Sequence, residues 1–393
     1  MFKSLSRVFV TACLAAAMLT SCSKKYSSDT TPAPTYTPSI VIGSDNGILY
    51  GLDPATGNKN WELALPGPIF ASPLVYNDMV YVGVNGLVGA WDTLYKVNGK
   101  TGAVVKKMTV PGNFSYSIKA TPFADGKSII LATTNDSLYS IDTGTAAVNW
   151  RFGESVAGSF VASPTVSGGK VYIASTSGNV YCLNDADGSQ VWQYTTPSTG
   201  AGFYSSPAIG DSFLFVGCTD SAMYCLYLTS FGSVTAGSLK WAFKTNGPIT
   251  SSPAAYYGNC VFGSNDFKVY CVDVISGNKK WSFNTTSNIN YSSPYIHDQV
   301  AYIGSNDYNL YALNMIDGSQ KWKFTSRGLI ASSPLLYNGM VYIGSFDANF
   351  YAVDSATGTL KWFRNVGGQI ECSPAVDNFT GTQINSQVSG ETN

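Results

Sequence analysis

Eight Ser-Pro or Thr-Pro dipeptides recur along the chain, with prolines at positions 73, 122, 164, 207, 253, 294, 334 and 374 and a mean spacing of 43 residues. No feature constrains the fold more. Between successive dipeptides the same punctuation returns. After Pro334, "LLY" leads to a turn at Asn338-Gly339, "MVYIGS" reads as a β-branched and aromatic strand, "FDAN" is a polar turn, "FYAVD" a third strand, "SATG" another turn and "LKWFRNV" a fourth strand. Four short strands per unit of 40 to 45 residues describe a β-propeller blade, not a helical solenoid. The composition agrees, with 39 Gly, 53 aromatic residues (25 Tyr, 20 Phe, 8 Trp) and 12% charged residues in 393.

The two ends of the repeat are complementary. The last copy stops after "SPAVD" at Ser373, and the first repeat-like segment, "IVIGSDNGILYGLDPATGNKNWEL" from Ile40, lacks an opening strand. The expected fold is therefore all-β: a single eight-bladed β-propeller over residues 40–376, closed where the three N-terminal strands pair with the C-terminal strand near Pro374. Closure removes the sheet edges that an open array would expose. Seven blades with loose ends would leave an apolar three-strand segment unpaired, at a cost in unsatisfied backbone groups.

The ends beyond the repeat read differently. Residues 1–21 combine Lys3 and Arg7 with an apolar run from Val8 to Leu19, too short to span a bilayer and of the length of a secretory h-region. "LTSC" ending at Cys22 resembles the lipobox of bacterial lipoproteins, which implies a signal peptide over 1–21 and acylation of Cys22. Acyl chains there would hold the protein on a membrane surface without spanning it. Residues 22–39 are rich in Ser, Thr and Pro and read as a flexible tether, and 377–393 as a polar tail. The expected location is outside the cytoplasm, anchored at the outer membrane and facing the periplasm or the cell surface.

Each copy closes on Asp or Asn, then Gly four residues later, then Trp four residues after that, as in Asp53, Gly57, Trp61 and Asp354, Gly358, Trp362. Full matches place Trp61, Trp192, Trp281, Trp322 and Trp362, and looser ones Trp150 and Trp241, in register. This pattern resembles the tryptophan-docking repeat of the PQQ (pyrroloquinoline quinone) enzyme-like propellers, and the resemblance covers residues 40–376. Kelch and WD repeats fit worse, since paired glycines and the Gly-His element are missing. The resemblance implies that the seven tryptophans dock blade on blade. The physics concurs, because Gly supplies the positive φ of the turn and a Trp buries some 150 to 250 Å².

The same resemblance raises catalysis by a quinoprotein dehydrogenase with PQQ and calcium as cofactors. Such enzymes are longer, and carry adjacent cysteines against the cofactor and Asp, Asn and Glu ligands for calcium. No adjacent cysteines occur here. Residues expected at one mouth of the channel, just ahead of the Ser/Thr-Pro pairs, are Phe70, Lys119, Val161, Tyr204, Thr250, Tyr291, Ile330 and Glu371. They offer no paired carboxylates, no metal cage and no nucleophile with a base. The expectation is no catalytic residue, no cofactor and no metal. One acidic residue per blade in the second turn (Asp45, Asp136, Asp220, Asp266, Asp307, Asp347) is too sparse for calcium and reads as turn chemistry.

Eight cysteines form no CxxC motif, and His297 is the sole histidine, which argues against zinc. Cys182, Cys225 and Cys271 hold a repeat position that Ala312 and Ala352 hold elsewhere and read as small buried residues; Cys218 and Cys225 flank one hairpin and are the pair to test for a disulfide. The formal net charge is −1, and loss of the signal would leave 21 basic against 24 acidic residues, scattered, so nucleic acid is not an expected partner.

Lipobox, tether and a single ring of this length together resemble the lipid-anchored outer-membrane assembly scaffolds of the BamB family. That resemblance implies a non-enzymatic, monomeric propeller that binds protein, possessing a membrane anchor and no transferable contact residues. An envelope glycan or small-ligand sensor is the second reading and a PQQ-dependent oxidoreductase the third. Partner contact is expected where the repeat breaks: Trp91 in a lengthened second turn, Lys106 where a docking Trp should stand, Phe231 in a lengthened third turn, and Lys119 and Glu371 at the mouth.

Overall fold

A computed structural model describes residues 38–86, 93–108, 118, 120–124, 126–154 and 158–377. Every element among them is a strand. The strands form eight four-stranded antiparallel sheets in which A, B, C and D follow in chain order. Blade 7 is typical, with Leu335–Tyr337 (A), Met340–Gly344 (B), Asn349–Asp354 (C) and Leu360–Asn365 (D). Blades 1 to 6 occupy residues 74–108, 123–153, 165–195, 208–244, 254–284 and 295–325. In blade 8, Ala375–Asp377 supplies strand A and pairs with Ser39–Gly43 at Ile40↔Val376 and Val41↔Ala375. Ile48–Leu52 and Lys59–Ala64 complete that sheet, so the expected closure is present.

The core is eight separate apolar layers, one in each joint between neighbouring blades. That follows from alternation: strands B and C are buried on both faces, and each face packs on a different neighbour. Where sheets must approach most closely, strand B carries Gly. A Cβ on Gly304 would stand 2.3 Å from Ile330 Cγ2, and one on Gly344 2.1 Å from Ile370 Cγ2.

Tryptophan docking is a lock between two residues of different blades. Trp281 of blade 5 donates its indole N–H to Met315 O of blade 6 at 2.8 Å and lies over Gly318, where a Cβ would come within 2.6 Å of the ring. Trp61, Trp150, Trp241, Trp322 and Trp362 repeat both contacts. Trp192 covers Gly237. Each of these turn glycines has φ near +70° to +80°. The glycine therefore meets two demands, a left-handed backbone and a bare surface for the next indole. On the Trp's own sheet the facing strand C residue is small: Gly51, Ser140, Cys182, Cys225, Cys271, Ala312 or Ala352.

One joint departs from this plan. Blade 1 has Lys106 at the Trp position, and the facing blade 2 turn has Ala146 at the glycine position, with φ +63°. Lys106 Nζ donates to Gly144 O at 2.9 Å and Lys96 Nζ to Thr143 O at 2.9 Å. Both halves of the lock are replaced together.

The acidic turn residues join blades as well as shaping turns. Asp307 accepts from Tyr311 Oη at 2.7 Å on its own strand C and from Thr286 N–H at 2.9 Å in the segment leading from blade 5. Asp266 and Asp347 make the same two bonds. In blade 3, where Ser177 takes the turn position, the carboxylate comes from the other side: Tyr181 and Asn179 donate to Glu154 Oε1 at 2.9 and 2.7 Å.

The six body cysteines are free and buried. Cys218 lies in the apolar layer between blades 3 and 4 and Cys225 in the layer between blades 4 and 5, on opposite faces of one sheet, so the tested pair is not brought together. Burial pushes the Cys182 thiol up to about 11 and the Cys218 thiol up to about 12, values that leave little nucleophilic thiolate at neutral pH. Among the described residues no helix is long and apolar enough to cross a membrane. The signal, Cys22, Trp91, Lys119 and the tail after Asp377 lie outside the described residues.

Candidate functional site: the channel mouth and the turn faces

The Ser/Thr-Pro dipeptides line the channel, and their hydroxyls link the blades. Thr121 N–H donates to Ser163 Oγ, Ser163 N–H to Ser206 Oγ, and the chain continues through Ser252, Ser293, Ser333 and Ser373 to Ser72, at 2.8 to 3.0 Å per bond. The residue before the dipeptide has a separate task. Ser205, Ser251, Ser292 and Ser332 accept the strand B N–H of Gly217, Gly263, Gly304 and Gly344 inside their own blades. Their recurrence along the chain does not by itself reveal these bonds between blades. The added signal lies in their position ahead of a residue, proline, that has no N–H to offer.

Above this ring, Phe70, Val161, Tyr204, Thr250, Tyr291 and Glu371 line the mouth as expected. Blade 7 is a correction: its mouth residue is Ala331, while Ile330 is buried against Gly304. The register there runs one residue later than expected, since Ala331 stands two before Ser333 as Tyr291 stands two before Ser293. The mouth encloses about 220 Å³. Tyr204 and Tyr291 keep 44% and 54% of their surface exposed.

Pyrroloquinoline quinone and calcium do not fit the residues described here. The lining contributes hydroxyls, aromatic rings and one carboxylate, Glu371. A calcium ion takes six to eight oxygens, commonly with several carboxylates, and a tricarboxylate cofactor requires cationic partners. Neither set is assembled among the described lining residues. No group of three or more His, Cys, Asp or Glu is placed to hold a metal among the described residues, and His297 pairs with Asp298 at 3.2 Å on the opposite face.

Strand order fixes the faces. Turns A–B and C–D open on the side away from the mouth, and turns B–C and the D–A links open beside it. On the far side four large apolar residues stand out: Phe231 (59% exposed) in blade 4, Tyr257 (76%) and Ile275 (58%) in blade 5, and Ile316 (75%) in blade 6. None is needed to build its turn. Ile275 and Ile316 follow the docking acceptors Val274 and Met315, at a position occupied by Ala55, Lys100, Gly144, Ala186 and Ala356 in other blades. Tyr257 has φ +41° where Asn77, Gly168, Asp211, Asp298 and Asn338 hold the same left-handed turn. A bulky residue there is strained, and its ring packs edge-on against Tyr256 of the same blade with centroids 4.5 Å apart while most of its surface stays exposed. Phe231 packs edge-on against Tyr227 with centroids 5.4 Å apart. Of the residues expected to contact a partner, Phe231 belongs to this patch, Glu371 lines the mouth on the other face, and Lys106 is engaged between blades 1 and 2.

Fold, docking lock and hydroxyl-lined channel together define an eight-bladed propeller built from PQQ-type repeats. Within that class the chain belongs to the family described as outer membrane protein assembly factor BamB, whose profile matches residues 27–105, 83–283, 198–323 and 265–385. BamB from Moraxella catarrhalis has 17% sequence identity to this chain and a TM-score of 0.65, over 78% of this chain and 88% of that one. A europium-containing methanol dehydrogenase has 12% identity and a TM-score of 0.65, over 78% and 81%. At these identities the likeness is one of fold. Among curated proteins, the beta-alanine-activating enzyme of Danio rerio is 27% identical over 120 residues, which are 29% of this chain and a tenth of that enzyme's length.

Proposed function

We propose that the protein is a non-catalytic, lipid-anchored scaffold of the cell envelope that binds protein and serves outer-membrane protein assembly. The observation that carries this reading is that Phe231, Tyr257, Ile275 and Ile316 stand exposed on far-face turns of three consecutive blades. Exposed apolar groups that the fold does not require mark interaction surfaces, and large apolar and aromatic side chains on a rigid turn lose little entropy on binding. Family membership gives the envelope context. Anchoring through Cys22, with residues 23–39 as a tether, would leave the ring free to meet a membrane-embedded partner.

The test compares affinity capture from solubilised envelopes by the wild-type chain and by an Ile275→Asp/Ile316→Asp variant. A protein captured stoichiometrically by the wild type and at least tenfold less by the variant supports the proposal. Equal capture by both, or no stoichiometric partner of the wild type, opposes it.

A further inference from the structure

The mouth on the opposite face has a chemistry that protein docking at the turn patch does not use. We infer that it is a saccharide site that takes one pyranose ring. Ser206, Ser293, Ser333 and Ser373 are each more than nine-tenths buried and line the cavity. Each Oγ accepts one backbone N–H from the preceding blade. A serine hydroxyl also has one proton to donate and a second lone pair. No acceptor for these protons is found among the described residues. The floor is thus a circle of buried groups that both donate and accept, which matches a polyol.

The walls supply the other half of such a site. Tyr204 and Tyr291, leading into blades 4 and 6, flank Thr250 with exposed rings, and Phe70 stands half-way round the ring from Thr250. Aromatic faces cover the C–H surface of a sugar, while hydroxyls and the Glu371 carboxylate meet its O–H groups. The described lining thus offers a carboxylate acceptor beside hydroxyls that both donate and accept. At about 220 Å³ the cavity is below the 300 to 1,000 Å³ usual for drug-sized ligands, which limits occupancy to about one ring. An extended peptide could bind here by adding a strand to the inner edges. The N–H groups of Thr121, Ser163, Ser206 and their equivalents at the mouth are already taken by the serine ring.

The experiment is saturation-transfer NMR on the whole folded chain with glucose, glucosamine, N-acetylglucosamine and galacturonate. Transfer to at least one of the four is expected. Tyr204→Ala/Tyr291→Ala, both at exposed side chains, should weaken binding about tenfold, and Ser293→Ala should weaken it while the thermal midpoint of the tyrosine variant stays unchanged. Ile275→Asp/Ile316→Asp on the far face should leave sugar binding intact, which separates this site from the protein-docking patch. Absence of transfer to all four sugars, or undiminished binding by the double tyrosine variant, would overturn the inference.

Discussion

Gly318 and Trp281 provide the sharpest test of how the ring holds together. Gly318 has φ +73°, and a Cβ there would meet Trp281 Cε3 at 2.6 Å. Gly339 has the same φ of +73° with nothing within 4 Å of its Cβ position. Gly339→Ala therefore measures the left-handed backbone alone, about 1 to 2 kcal/mol. Gly318→Ala adds displacement of the indole. Losing its bond to Met315 O removes about 1 kcal/mol, and re-exposing roughly 100 Å² of ring at 25 cal/mol per Å² removes about 2.5 more. Its total should be about 4.5 to 5.5 kcal/mol. Trp281→Ala should cost about 3 to 5 kcal/mol. In the double variant no indole remains to be displaced, so Gly318→Ala should again cost only about 1 to 2. The two substitutions should then fall short of additivity by about 3.5 kcal/mol. Chemical denaturation followed by far-ultraviolet circular dichroism reads all four proteins. Additivity to within about 0.5 kcal/mol, or equal effects of Gly318→Ala and Gly339→Ala, would refute the two-part role given to the turn glycine.

Two further outcomes follow from the same structure. Ala146 holds a left-handed backbone with no indole above it, so Ala146→Gly should stabilise the chain by about 1 kcal/mol, and Lys106→Trp should gain stability only when combined with it; denaturation midpoints of the three variants check this. Asp273 is held down to about 2, chiefly by the Ser276 N–H, with the Lys280 ammonium adding to it. Its folded value lies below its ordinary 3.8, so its contribution is complete above that value and is lost as pH falls toward 2. The thermal midpoint should drop across that window, and Asp273→Asn should lose less of it than the wild type.

The fold was legible because its period is long and punctuated. Ser/Thr-Pro, turn Asp and Gly-Trp recur often enough to count blades and to see that residues 40–65 and the strand at Pro374 complete one another. Each motif proved to do more than the reading gave it. The docking glycine is bare because another blade's Trp covers it, the turn Asp accepts from a neighbouring link, and the dipeptide serines bind from one blade to the next around the channel. A sequence shows that a residue recurs and not what faces it from forty residues away. The candidate sites were less legible. Phe231 stood out because an insert breaks the period, whereas Tyr257, Ile275 and Ile316 sit in turns of normal length and differ only in side chain. Comparing residue types position by position across blades would have found them, since Ile replaces Ala, Gly or Lys, and Tyr replaces Asn, Asp or Gly. Six of the eight expected mouth residues line the cavity, Lys119 lies outside the described residues, and at blade 7 a one-residue slip put Ile330 in place of Ala331.

The measurement that bears most directly on the proposed scaffold role is site-specific photo-crosslinking in intact envelopes, with the probe placed at Tyr257, Ile275 or Ile316 and, for comparison, at Lys100 or Ala356. The last two are the equivalents of Ile275 in blades 1 and 7. The account predicts one shared protein adduct from the three patch positions and none from the comparison positions. Adducts of equal yield at all five positions, or none at the patch, would contradict it.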